Sequence, residues 1–433
     1  MNKPVLGIKD RPSPLQWLTL SLQHLFAMFG ATILVPYLVG LNPSMALISS
    51  GLGTLAFLMI TKWQVPAYLG SSFAFISPII AAKAAGGPGA AMVGSFLAGA
   101  VYGIVALVIK RAGYRWIMKL LPPIVVGPVI IVIGLGLANT AVGMAMNGPD
   151  GKYNLTYFSV ALVTLAATII CSVYLRGLLS LVPILIGIVV GYVYSLAVGV
   201  VDLSPIAKAK WLEMPDFLIP FVDYPVHVTG KIILLMVPVA LVTLSEHIGH
   251  QLVLSKVVGQ DYIKKPGLHR SILGDGTATM ISALIGGPPK TTYGENIGVL
   301  AITRVYSVYV LAGAAAFAII FGFIGKVTAL ISTIPTPVMG GVSILLFGII
   351  ASSGLRMLVD SKIDFGDKRN LVISSVILVI GIGGAILKVS ENFQIQGMAL
   401  AAISGVILNL LLPGRPEINE NMFELEENKD HVA

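Results

Sequence analysis

Between Leu15 and Leu412 the sequence is a succession of apolar runs, many of them about twenty residues long, joined by short polar or Gly- and Pro-punctuated segments. A run of that length crosses a bilayer as an α-helix, and in hydrocarbon every backbone N–H and C=O must be satisfied within the protein. The chain is thereby restricted to an all-α polytopic membrane fold. With 56% hydrophobic and only 11% charged residues, it carries more apolar surface than a water-soluble core of this length could cover. The first apolar stretch follows about 14 polar or Pro-punctuated residues and is too long for the apolar region of a cleavable leader, so no such leader is expected. The single cysteine, Cys171, lies in an apolar run. It excludes a disulfide framework and a cysteine-based metal site, and reads as a packing residue. The formal charge of +8 is explained by basic residues on the inner face of a membrane protein rather than by nucleic acid.

The apolar runs resolve into about fourteen spans, at 15–39, 43–61, 70–86, 90–109, 117–140, 155–174, 177–199, 231–254, 271–286, 291–303, 305–325, 328–355, 370–387 and 395–412. With the N-terminus inside, the inner loops carry Lys110, Arg111, Arg115, Lys119, Arg176, Lys256, Lys264, Lys265, Arg270, Arg356, Lys362, Lys368 and Arg369. The outer loops carry Lys152, Lys208, Lys210, Lys326 and Lys388 in a longer total stretch. That asymmetry places both termini in the cytoplasm and requires an even number of spans. The segment around 203–224 mixes Trp211, Phe217 and Phe221 with charges and is expected to lie along the outer interface. The acidic tail, 414–433, reads as disordered.

Two spans are unlike the rest. The third contains Ser71-Ser72-Phe73-Ala74-Phe75 and the tenth Thr291-Thr292-Tyr293-Gly294-Glu295: two small hydroxyl residues, an aromatic, a tiny residue and a fifth position. Gly70 and Pro78 flank the first; Gly286, Gly287, Pro288 and Pro289 precede the second. A matched pair of interrupted hydrophobic segments, one per half, is the sequence pointer to a secondary transporter's binding site. Each is expected to form a short strand followed by a half-helix, since irregular backbone at membrane depth needs a protein partner or an aqueous cavity. Leu22-Gln23-His24 likewise resembles Ser245-Glu246-His247, and Pro122 to Gly127 resembles Pro335 to Gly340; all three pairs are about 213 to 223 residues apart. One duplication explains them. Seven spans per copy, an odd number, invert the second copy, giving repeats at 1–204 (spans 1–7) and 231–413 (spans 8–14) joined by an interfacial linker at 205–230.

The ionisable residues read inside the spans are His24, Glu246, His247, His250 and Glu295. At the bilayer centre each costs about 2.5–3.5 kcal/mol and needs a partner or a role. Glu246 and His250 are one helical turn apart, within mutual reach, and form a candidate proton-exchange pair. His247 points about 100° away and reads as an interhelical hydrogen-bonding residue. Glu246-His247-Ile248-Gly249-His250 has its histidines three apart with the glutamate ahead of both, unlike the His-Glu-x-x-His spacing of zinc proteases, so no metal or cofactor is expected.

The run Glu295-Asn296-Ile297-Gly298-Val299-Leu300-Ala301-Ile302-Thr303-Arg304 is similar to the signature of the nucleobase–ascorbate transporters: Gln or Glu, then Asn, a spaced Gly, Thr and a basic residue. Gln23 to Gly30, Gly70 to Phe75 and Ser245 to His250 add to the likeness, which extends from about residue 7 to 412 and is strongest to the uracil-carrying bacterial branch, since Glu rather than Gln stands at 295. The resemblance implies a core domain (spans 1–4 and 8–11), a gate domain (spans 5–7 and 12–14) and uracil held between the two short strands. Glu246 and Glu295 would accept from the ring N–H groups, the amides of Phe73 and Gly294 would donate to a ring carbonyl, Tyr293 would lie beside them and His250 near the other carbonyl. Glu246 with His250 would handle the coupled proton; His24, Ser72, Asn296 and Thr303 would support the site. Lys290 and Phe347 are expected to be either selectivity-tuning residues or, more simply, a lysine reaching for lipid headgroups and a lipid-facing aromatic.

The implied activity is uracil:proton symport in the cytoplasmic (inner) membrane, with another nucleobase or a sulfate-type anion as alternative cargo. Two carboxylates facing one cavity disfavour an anion. An intramembrane metallopeptidase is disfavoured by the histidine spacing, and a channel by the broken helices with their asymmetric charge. The sequence leaves open whether the carrier works singly or as a homodimer.

Overall fold

In the computed structural model, which describes residues 4–390 and 393–414, helices account for nearly all regular structure. Each of the fourteen expected spans has a helical counterpart, and the chain is a multi-pass membrane protein. Among the described residues seven helices are long and apolar enough to cross a bilayer, and three further apolar ones have 10–17 residues. Several spans are divided by Gly or Pro: Pro123–Leu135 and Ala138–Met146 share one, Gly230–Met236 and Val239–Val258 another. Gly86 and Gly87, at φ −165° and +77°, break Ile76–Ala112 into two helices, so the third and fourth spans meet at a non-helical joint.

Local chemistry sets the helix starts. Asn42 accepts from the Ser44 N–H at 2.9 Å ahead of Pro43, Asn154 from Tyr157 N–H at 3.1 Å, and Asp367 from Arg369 N–H at 2.9 Å. The first span ends at Gly40 in the left-handed conformation, where Lys83 Nζ donates to the carbonyls of Val39 (2.5 Å) and Gly40 (2.9 Å).

The helices pack in two groups. In the first, Leu268–Leu284 lies against Pro43–Ile60 and Ile76–Ala112, and Val308–Gly322 against Pro14–Val39 and Pro43–Ile60. In the second, Thr336–Asp360 packs on Pro123–Leu135, Ala138–Met146 and Leu155–Tyr174, while Lys368–Ile382 packs on Gly397–Leu411. Small residues allow these approaches: a Cβ on Gly134 would lie 2.3 Å from the Phe347 carbonyl. The groups meet where Val239–Val258 contacts Pro123–Leu135 and where Pro14–Val39 contacts Pro183–Ala197.

The interrupted spans pair with each other. Strand β1 (Leu69–Ser71) runs antiparallel to β2 (Lys290–Thr292), with Leu69 opposite Thr292 and Ser71 opposite Lys290. Antiparallel pairing is what copies of opposite orientation produce when they meet at their midpoints. The strands begin one to two residues earlier than the sequence suggested: extended backbone stops at Ser72 and Tyr293, a 3₁₀ turn occupies Phe73–Phe75, and the half-helix Gly294–Thr303 begins directly. The aromatic residues thus stand at the strand–helix junctions.

A second hairpin, β3 (Ile386–Ser390) with β4 (Phe393–Gln396), lies between the last two spans, where the sequence reading ran the thirteenth helix to 387. Around 203–224 the only helix is the short Ser204–Lys208, and Trp211, Leu212, Met214 and Phe221 are exposed. The expected disordered tail lies, from residue 415, outside the described residues.

Candidate substrate site

The β1–β2 pair ends beside a cavity of about 240 Å³ bounded by both helix groups. Phe73, Tyr293, Gly294 and Glu295 line it from the broken spans, Glu246 and His250 from Val239–Val258, and Ile130, Ile350 and Met357 from the other group. The pocket wall is largely apolar with a few convergent polar groups, the pattern of a small-molecule site.

Each polar group is placed by local structure. Phe73 and Gly294 sit in the first turns of helices, where backbone N–H groups have no intrahelical acceptor and the helix dipole is positive. Burial leaves Glu246 Oε2 and Glu295 Oε1 without a hydrogen-bond partner among the described residues. Two carboxylate acceptors and two helix-start donors therefore converge on one space. Tyr293 donates its hydroxyl to the Ser71 carbonyl at 3.2 Å, and its ring lies nearly parallel to Phe73, centroids 6.5 Å apart. Phe347 meets Phe73 edge-on at 5.7 Å and is only 2% exposed, so it backs the site instead of facing lipid. The fit at Gly294 is close, since a Cβ there would lie 3.1 Å from His250 Nε2.

The structure brings Phe73, Glu246, His250, Tyr293, Gly294 and Glu295 to one cavity; His24, Ser72, Asn296 and Thr303 do not line it. Asn296 donates to the Pro66 carbonyl at 3.2 Å, and Thr303 donates to Val299 at 2.8 Å while accepting from Val305 N–H at 3.3 Å, so these two brace the half-helix. His24 and Ser72 are buried, with His24 Nδ1 and Ser72 Oγ unpartnered among the described residues.

Two sequence-based expectations need correction, and one residue escaped the sequence reading. Glu246 and His250 make no ion pair among the described residues; instead His250 Nδ1 lies 3.5 Å from Thr292 Oγ1 on β2. One-turn spacing brings two side chains to the same face but leaves their rotamers free. Lys290 does not reach for headgroups: it is fully buried, because its strand is internal. Asp275 was overlooked. It accepts from or shares a proton with His247 Nδ1 at 2.8 Å and accepts from Thr292 N–H at 3.4 Å. Its signal was a carboxylate, Gly274-Asp275-Gly276, within an otherwise apolar span. His247 has the interhelical role that its direction suggested.

The sequence pattern of the family described as Permease family (xanthine/uracil permeases) matches residues 15–389. The chain belongs to this family, the nucleobase–ascorbate transporters. It is 82% identical over 433 residues to a uracil permease of Bacillus caldolyticus, all of both chains being covered. It is 67% identical to a uracil permease of Bacillus subtilis (strain 168), over 96% of this chain and 97% of that one, and 46% identical to one of Escherichia coli (strain K12), over 95% and 94%. Among solved structures, the transmembrane domain of the cyanobacterial bicarbonate transporter BicA superposes with a TM-score of 0.63 at 13% identity, covering 93% of this chain and 99% of that one. Murine Slc26a9, an anion transporter in the inward-facing state, gives 0.66 at 11% identity, covering 93% and 69%. These likenesses show a transporter, not an enzyme, in the fold those carriers share.

Proposed function

We propose that the chain is a uracil:proton symporter that imports uracil across the cytoplasmic membrane by alternating access. The observation that carries the reading is the pair of buried carboxylate oxygens, Glu246 Oε2 and Glu295 Oε1, unpartnered among the described residues and lining one cavity with the helix-start residues Phe73 and Gly294. Uracil presents ring N–H donors flanked by carbonyl acceptors, and its flat ring suits the space beside Phe73 and Tyr293. Relatives matching essentially the whole chain bear the name uracil permease. The structural neighbours that carry anions favour a second reading by fold alone. The carboxylates oppose it, because an anion in this cavity would meet two like charges.

Spans 1–4 and 8–11 form the core in this reading, and spans 5–7 and 12–14 the gate, within repeats 1–204 and 231–413 joined by 205–230. With both termini cytoplasmic, the outer ends of the first and twelfth spans are held together by Tyr37 and Thr336, whose hydroxyls are 2.6 Å apart. The cavity continues past Val257 and Ala301 towards Arg356, on the side of the basic loops. That geometry corresponds to an inward-open carrier. A neutral substrate needs a coupled ion for uphill import. One proton crossing about 100 mV supplies about 2.3 kcal/mol, roughly a fifty-fold accumulation. Glu246 and His250, in one cavity, are the groups to take and release that proton.

The test is uptake of radiolabelled uracil into proteoliposomes with and without an imposed pH gradient, in competition with xanthine, adenine and sulfate. Gradient-dependent accumulation blocked by uracil alone is expected. Uptake indifferent to the gradient would remove proton coupling, and competition by sulfate would remove the nucleobase assignment.

A further inference from the structure

Lys290 is fully buried in β2, yet no carboxylate pairs with it among the described residues. Its Nζ is surrounded by three neutral oxygens: the Ala46 carbonyl at 3.0 Å, Ser50 Oγ at 2.9 Å and, more distantly, Ser71 Oγ at 3.4 Å. An ammonium has three protons to donate, and these oxygens accept all three. Ala46 and Ser50 belong to the second span, Ser71 to β1, and the lysine itself to β2, so one head group ties both repeats together behind the substrate cavity. The lysine backbone is fixed too: Thr279 Oγ1 accepts from Lys290 N–H at 3.1 Å and donates to its carbonyl at 3.0 Å.

A carbonyl and two hydroxyls around a small positive charge make the donor set of a hard-cation site. We propose that Lys290 is a tethered cation: its ammonium fills a three-oxygen site between the second span and the β1–β2 pair that a free monovalent ion would otherwise have to occupy. The carrier thereby holds its substrate-binding strands in place without recruiting sodium. Lys290 is a positioning residue that acts on the substrate through β1 and β2. Because the strand junctions carry Phe73, Tyr293 and Gly294, loss of the charge should be felt as weaker substrate binding. The inference rests on the uracil reading, and uracil binding by the parent protein is the control that tests that reading separately.

Purified carrier is titrated with uracil by calorimetry in buffer whose only cation is choline, then with sodium, lithium or methylammonium added at constant ionic strength. The parent should bind equally in all four. Lys290→Ala, which empties the site, should bind about tenfold or more weakly in choline. It should recover with methylammonium and with sodium or lithium, but not with more choline. Lys290→Met, whose side chain occupies the same space without charge, should stay weak in every salt. Parent-like binding by Lys290→Ala in choline would overturn the proposal, as would a deficit that no small cation relieves. If Lys290→Ala is not monodisperse in any salt, Lys290→Gln carries the test, since it keeps N–H donors and removes the charge. Parent-like uracil binding by Lys290→Gln in choline would show that hydrogen bonding alone suffices, and the tethered-cation assignment would fall.

Discussion

Two carboxylates that each keep one buried oxygen without a partner among the described residues should be sensitive to the loss of one oxygen. Glu246→Gln and Glu295→Gln each place an N–H₂ where an N–H of the substrate must be accepted. Each should weaken uracil binding by about 1–3 kcal/mol, or roughly 5- to 150-fold, read by calorimetry. Near-parental affinity in both would move the substrate elsewhere. Asp275 has a different duty. It holds His247 and the Thr292 amide, so Asp275→Ala strips the buried Thr292 N–H of its acceptor and leaves His247 Nδ1 only the Thr292 hydroxyl at 3.2 Å. The variant should melt at a lower temperature, by an amount corresponding to about 1–3 kcal/mol, and Asp275→Asn should recover part of the loss. His250→Ala leaves both carboxylates and the helix-start amides in place. Its uracil affinity should stay within about tenfold while gradient-driven accumulation falls much further, measured as counterflow beside uptake in the same vesicles. Equal accumulation by variant and parent would take His250 out of the proton path.

At the scale of elements, the crossing of β1 and β2 depends on having no side chain at Gly70. A Cβ there would stand 2.0 Å from Tyr293 Cζ and 2.1 Å from its Cε2, and the ring cannot step aside without breaking its bond to the Ser71 carbonyl. Gly70→Ala should destabilise the carrier by about 1–3 kcal/mol and weaken uracil binding together, seen as a lower melting temperature and a smaller ligand-induced rise. The position of this crossing was legible in the sequence. Gly and Pro disfavour a continuous helix there, and the motif recurs in both halves. Where each side chain on it points was not legible, because that follows from register between strands far apart in the chain. Lys290 therefore read either as a selectivity-tuning residue or as a lysine reaching for headgroups, and it is internal. The β3–β4 hairpin was missed for a related reason: Phe393-Gln394-Ile395-Gln396 alternates over too few residues to stand out beside two long apolar helices. Asp275 belongs to no motif, and its importance appears only when the partner helix delivers His247.

For the whole molecule, the proposed alternating access requires the two helix groups to move relative to one another, and close contacts lie between them. A Cβ at Gly30 would lie 2.3 Å from Ile184 Cγ2, and one at Gly249 would lie 2.5 Å from Met357 Cε, so smooth backbone faces lie at the contact. Tyr37 and Thr336 add a hydroxyl contact near the ends that the proposed orientation places outside. Tyr37→Phe removes it at a cost of about 0.5–1.5 kcal/mol to the outward-closed state, which should raise the outward-open population by about two- to thirteen-fold. With Cys171→Ser as background, a cysteine at Val257 should react with an impermeant maleimide from the cytoplasmic side, and its rate should fall in the Tyr37→Phe variant. An unchanged rate would mean that this contact does not hold the outer side shut. The pairing of β1 with β2 also has a meaning in time. Ser71 and Lys290 are 219 residues apart, and a ribosome adding about 5–20 residues per second needs roughly 11–44 s to travel between them. Throughout that interval the first strand is already in the membrane with its polar edge unmet, so a nascent carrier must be sheltered by water, by the insertion machinery or by a neighbouring helix until its second half arrives.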